Sequence, residues 1–180
     1  MEFELIETAH VRLWDYGWFD TSRFAVRHSA PAEASAREVA NAWRHSVLFQ
    51  RRLCTSPDPW GAPIGLHGPF NLAHLSHEPF VSATPGELRD SVAATLFRQR
   101  RQRFCAPDDR PWDPPSEAQR TSVERWLTDV INAGADLFSL RPGDEAESLV
   151  DTAFVWFVFE EYVAVSVDRS TLHVAIIGYD

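Results

Sequence analysis

Three histidines and a carboxylate fall close together in the middle of the chain: His67, His74, His77 and Glu78. Imidazole and carboxylate are the side chains that bind zinc and related metals, and that move protons in acid–base catalysis. The spacing, His-x6-His-x2-His-Glu, matches no strong metal-site pattern. Pro69 and Pro79 bracket the segment and keep His74 and His77 off a shared helical face. The expectation is hydrogen-bonded or exposed histidines, and no metal, cofactor or catalytic residue is assigned. The four residues stand as the alternative site, on which the protein would be an enzyme or small-ligand binder using residues 57–80.

Two carboxylate doublets, Asp108-Asp109 and Glu160-Glu161, are the other candidates for acid–base work. Neighbours on a strand point to opposite faces, so Glu160 and Glu161 converge only in a turn. Cys54 follows Arg51 and Arg52, which would lower a thiol pKa, but no histidine partner is identifiable from sequence. Cys54 and Cys105 lack CxxC spacing; two reduced thiols are expected, with a single disulfide left open. The sequence contains no GxSxG, GxGxxG after a strand, GxxxxGK[ST], HExxH or EF-hand loop. All seventeen basic residues are arginine, so no lysine can serve as Schiff-base nucleophile or phosphate clamp.

Charge narrows the partner. Residues 1–103 carry twelve Arg against eleven Asp or Glu, whereas residues 104–180 carry five against fifteen; together they give the net −9. An acidic C-terminal part argues against nucleic acid, whose affinity rests on neutralising phosphates, and suits a basic protein. The Arg98, Arg100, Arg101, Arg103 cluster is read as a solvated helix end. The N-terminus lacks a signal-peptide pattern and no apolar run could span a bilayer, so a cytoplasmic protein without membrane association is expected.

These residues need elements to position them. Strands are expected within residues 2–27, with a turn at Asp15-Tyr16-Gly17, and one helix from about Ser35 to Leu53 with Trp43 as a core anchor. A long Pro- and Gly-rich loop over 55–83 follows, pinned by Trp60, Phe70, Leu75 and Phe80. Thr84-Pro85-Gly86-Glu87 and Ser116 with Gln119 start two more helices, the second ending at Gly134. Leu137–Leu140 reads as a short strand, and the last thirty residues as strands. A turn at Asp168–Thr171 would pair Val167 with Leu172, Val165 with Val174 and Val163 with Ile176, giving one wholly aliphatic face. Glu160-Glu161 would then interrupt the run and leave Phe154–Phe159 as a separate or bulged strand. The sum is a single α+β domain over 1–180: an antiparallel sheet of N- and C-terminal strands, with about three helices on one face.

A compact acidic α+β chain without a catalytic motif, ending in the hairpin Thr171-Leu172-His173-Val174-Ala175-Ile176-Ile177-Gly178, resembles in general form the bacterial immunity proteins that neutralise polymorphic toxins. The resemblance implies a protein that binds and masks a partner such as a basic toxin domain, and it carries no catalytic role. On that reading Asp144, Glu145, Glu147, Glu160 and Glu161 are the expected partner surface.

Overall fold

The computed structural model describes residues 1–14, 17–27, 34–52, 66–96, 116–143 and 158–179. Alternating residues near the N-terminus form β1 (Glu2–Trp14) and β2 (Gly17–Arg27), paired antiparallel from Glu2 opposite Arg27 to Trp14 opposite Gly17, with irregularities between Leu5 and Glu7 and between Arg12 and Trp14. The apolar C-terminal stretch forms β7 (Val158–Val165) and β8 (Thr171–Tyr179). The intervening chain adds α1 (Ala36–Arg44), α2 (Val47–Arg52), β3 (Leu66–His67), β4 (Phe70–Asn71), β5 (Phe80–Ser82), α3 (Pro85–Leu96), α4 (Glu117–Asn132) and β6 (Asp136–Leu140). Six strands make one antiparallel sheet in the order β1-β2-β8-β7-β6-β5, so N- and C-terminal strands share it as expected; β3 and β4 form a separate two-stranded ribbon.

The helices do not all lie on one face. Alternate residues of a strand point to opposite sides, and β8 divides accordingly. Leu172, Val174 and Ile176 pack with Val163, Val165, Phe138 and Phe24 against Val39, Ala40 and Trp43 of α1 and Phe49 of α2. Ala175 and Ile177 pack with Ala164, Tyr162, Leu137 and Phe19 against Leu88 and Val92 of α3 and Val123, Leu127 and Val130 of α4. Among the described residues, two helices on each side make three layers, because both faces of the central strands are apolar and each must be covered.

Capping follows the sequence. Thr84 N–H donates to Glu87 (2.6 Å) and Glu87 N–H to the Thr84 hydroxyl (3.1 Å), which holds the Glu87 carboxyl below its usual range. Ser116 and Gln119 make the same reciprocal pair, and Gly134 (φ +65°) follows the end of α4. The single helix expected to Leu53 is instead broken at His45-Ser46, where the Ser46 hydroxyl accepts the Phe49 N–H (3.0 Å) and starts α2. The described part of the long loop, 66–83, is likewise not structureless. It contains the β3–β4 ribbon and the edge strand β5, entered through Pro79, whose carbonyl accepts the Arg141 N–H (2.7 Å).

The C-terminal hairpin is shifted two residues from the expected register. Val165 faces Leu172, Val163 faces Val174, and Glu161 faces Ile176. An even shift leaves each residue on its expected face, but it puts Glu161 among the aliphatics and Val167 in the turn, 61% exposed. The turn itself sets the register. Asp168 accepts from the Ser166 hydroxyl (2.6 Å), the Ser170 N–H (3.0 Å) and the Ser170 hydroxyl (2.8 Å), and the Ser166 N–H closes onto the Thr171 carbonyl (3.0 Å). The Ser166 hydroxyl first, then Ser170, lowers the Asp168 carboxyl to about 2. A depressed carboxylate stabilises the fold above its unfolded value near 4, and that contribution is lost as pH falls through about 2. Carboxyl NMR titration of Asp168 should give a midpoint of about 2, moving back up in Ser166→Ala; an ordinary midpoint in the intact chain would refute the turn network.

Nor does Glu160-Glu161 interrupt the strand: β7 runs through both residues. Phe154–Phe157 lie outside the described residues. Among the described residues, no helix is long and apolar enough to cross a membrane.

Candidate functional site

The buried polar chemistry gathers where α1, α2, the β3–β4 ribbon and the sheet meet. β7 carries Glu161 on the face covered by α1 and α2, α1 supplies Trp43, and β3 supplies His67. His67 Nε2 lies 2.5 Å from Glu161 Oε2, and Trp43 Nε1–H donates to Glu161 Oε1 at 3.1 Å. His67 and Glu161 are each only 1% exposed. His67 Nδ1 is 3.1 Å from the Phe49 carbonyl, which can only accept, so Nδ1 carries hydrogen. One further proton then joins Nε2 and Oε2. Whichever atom holds it, the pair is neutral overall: imidazolium with carboxylate, or imidazole with carboxylic acid.

Aromatic rings enclose the imidazole. Phe49 stacks on it with centroids 3.6 Å apart, and Phe159 meets it edge-on at 5.8 Å. Gly68 (φ +55°) turns the ribbon directly over Phe159; a Cβ there would come 2.5 Å from the Phe159 ring. Arg44, one residue after Trp43, is buried too. Its guanidinium lies 5.6 Å from the Phe49 ring centroid and donates to the carbonyls of Leu72 (2.8 Å) and Leu75 (3.4 Å). Burial pushes its pKa down. Sequence periodicity identified Trp43 as a core anchor. It gave no sign that the Trp43 indole N–H and the Arg44 guanidinium would hold distant segments.

The opposite face of β7 is separate. Glu160 accepts from the Ser91 hydroxyl of α3 and from the Tyr162 hydroxyl (3.1 Å). Burial, above all, raises the Tyr162 pKa. The doublet thus diverges, as strand geometry requires. Glu161 is not on a surface at all, which removes it from the expected partner face, while Glu160 is half-buried. Burial is tolerated because each carboxylate has its own donors. Asp144, Glu145 and Glu147 lie outside the described residues, as do Asp108, Asp109, Cys54, Cys105 and the Arg98–Arg103 cluster.

The three loop histidines do not converge. His67 is in the interior, whereas His74, His77 and Glu78 are exposed. His77 stacks instead on His45 (centroids 5.4 Å), and His45 Nε2 lies 3.2 Å from the His77 carbonyl. Among the described residues no three metal-ligating side chains gather.

A different surface stands out. Among the described residues β1 pairs only with β2, leaving its outer edge at the margin of the sheet. It is thirteen residues long, against three for β5 at the other margin. Leu5 and Ile6 sit at the register irregularity and are 51% and 50% exposed. Glu4 and Glu7 reach across the ribbon to Arg27 and to Arg23 (3.1 Å), and Glu2 is exposed beside them. The Glu2-Phe3-Glu4-Leu5 alternation signals the strand, but only the strand order shows that it is an edge.

No protein-family model matches the chain, and no curated protein matches it in sequence. Among solved structures it is similar to citrus MAF1 in two crystal forms. One has 9% identity over 94% of this chain and 91% of that one, at a TM-score of 0.42. The other has 8% identity over 94% and 92%, at a TM-score of 0.44. Likeness at this level carries no argument about function.

Proposed function

We propose that this chain is a cytoplasmic binding protein of the immunity or inhibitor type, which masks a basic protein partner such as a toxin domain. The observation that carries the reading is β1, a long edge strand bearing exposed Leu5 and Ile6 among Glu2, Glu4 and Glu7. An exposed strand edge is a template for another chain. Main-chain hydrogen bonds would give affinity; a basic partner would be steered by the net charge of −9 and by Glu2, and would compete with Arg27 and Arg23 for Glu4 and Glu7. With Glu161 buried, the acidic partner face is centred on β1. The partner is a protein, not nucleic acid or a membrane, and the chain works without cofactor or catalysis. His67 has both ring nitrogens engaged inside the protein, which weakens the reading of residues 57–80 as an enzyme site.

The test is growth rescue on co-expression with proteins encoded beside this one, followed by kinetic titration of the purified pair at low and high salt. Binding should weaken with salt. Replacing Glu2, Glu4 and Glu7 by Gln should slow association roughly tenfold, and Ile6→Lys should raise dissociation. Rescue by a partner whose binding ignores both changes would remove β1 from the interface.

A further inference from the structure

We propose that His67 and Glu161 form a one-proton latch that holds the segment from Leu66 to Glu78 onto the sheet and releases it on acidification. Among the described residues the segment's buried anchors converge, and His45 Nε2 meets the His77 carbonyl (3.2 Å) at its exposed end. His67 is tied to Glu161 of β7 and to the Phe49 carbonyl of α2. Phe70 meets Phe159 edge-on at 5.6 Å, Arg44 holds the Leu72 and Leu75 carbonyls, and Leu75 is buried. Of the buried anchors, only the His67–Glu161 contact depends on a proton count.

With Nδ1–H directed at Phe49, the pair fits together when one proton lies between Nε2 and Oε2. A second proton there places two donors face to face and leaves a net positive charge in an interior lined by Phe49, Phe159 and Trp43. Removing the shared proton places two lone pairs face to face and leaves a net negative charge. A buried charge without a partner is strongly unfavourable. The other charged groups on the packed elements do not offset a gained proton. Arg44 is itself cationic and lies over Phe49, while Glu160 points to the opposite face of the sheet. β7 and β8 keep their ladder throughout, being central strands with partners on both sides. Acid therefore frees the segment before the sheet. The exposed His45–His77 stack also touches this segment, so it is the competing source of the same effect.

Hydrogen exchange by mass spectrometry separates the two, read from about pH 7 to about pH 4 and corrected for intrinsic rates. In the wild-type chain, protection of residues 66–78 should fall at least roughly tenfold further than that of β7 and β8. The excess loss should persist in His77→Gln. It should vanish in the double variant His67→Phe with Glu161→Met, which has nothing to protonate. Parallel loss in the segment and the sheet, disappearance of the effect in His77→Gln, or its persistence in the double variant would each overturn the latch. The imidazole 15N shifts of wild-type His67 give a check that needs no variant to fold. They should change over the same pH range as residues 66–78 open, and unchanged shifts during opening refute the proposal.

Discussion

Glu161→Ala is expected to destabilise the protein by about 3–5 kcal/mol, the cost of removing one member of a buried charge pair. The loss has two sources. The Trp43 indole N–H loses its acceptor, and His67 keeps Nδ1–H on Phe49 while Nε2 faces a cavity. Glu161→Gln should stay within about 1.5 kcal/mol of wild type, near the net value of one hydrogen bond. Its carbonyl can still accept from Trp43 and its amide can donate to an unprotonated Nε2. Urea denaturation with unchanged m-value measures both. Equal losses for Ala and Gln would mean that the site requires the carboxylate itself, and that neither side-chain volume nor the hydrogen bonds an amide can replace account for its contribution.

Trp43→Ala should cost a similar amount, about 3–5 kcal/mol, by opening a cavity in the core. Trp43 is fully buried and touches rings from three directions: Phe3 at 5.4 Å, Phe24 at 4.7 Å and Phe49 at 6.0 Å. Domains of this size are stable by only about 5–15 kcal/mol, so the variant would sit close to unfolding at moderate urea. Trp43→Phe keeps most of the packing and removes the N–H. A double-mutant cycle of Trp43→Phe with Glu161→Met, which has no oxygen to accept the indole N–H, should then show coupling of about 0.5–3 kcal/mol. Strict additivity would indicate that the 3.1 Å contact contributes nothing beyond packing.

Because these two side chains come from α1 and β7, 118 residues apart, their coupling is a property of the fold rather than of any local sequence. The same holds for His67, which lies 94 residues from Glu161. In the sequence, His67 groups with His74 and His77 by spacing, and Glu161 with Glu160. The folded chain regroups them by face: His67 joins Glu161, His77 joins His45, and Glu160 joins Ser91 and Tyr162. Proximity along the chain was a poor guide because a Pro-rich segment and a strand both send neighbouring side chains in different directions.

What the sequence determined by itself was local. Alternation marked β1 and β2, apolar density marked the C-terminal strands, and Thr84/Glu87 and Ser116/Gln119 marked helix starts, because those signals act within a few residues. An antiparallel sheet joining the two ends of the chain, in an α+β fold, was also legible. Tertiary structure decided the rest. A second apolar side on β8 drew helices to both faces. The Asp168 turn moved the hairpin by one residue pair. An imidazole and an indole N–H made it favourable to bury Glu161, a carboxylate that composition alone assigns to the surface. Burial of a charge depends on what arrives beside it, and residues more than ninety positions away arrive only when the chain is folded.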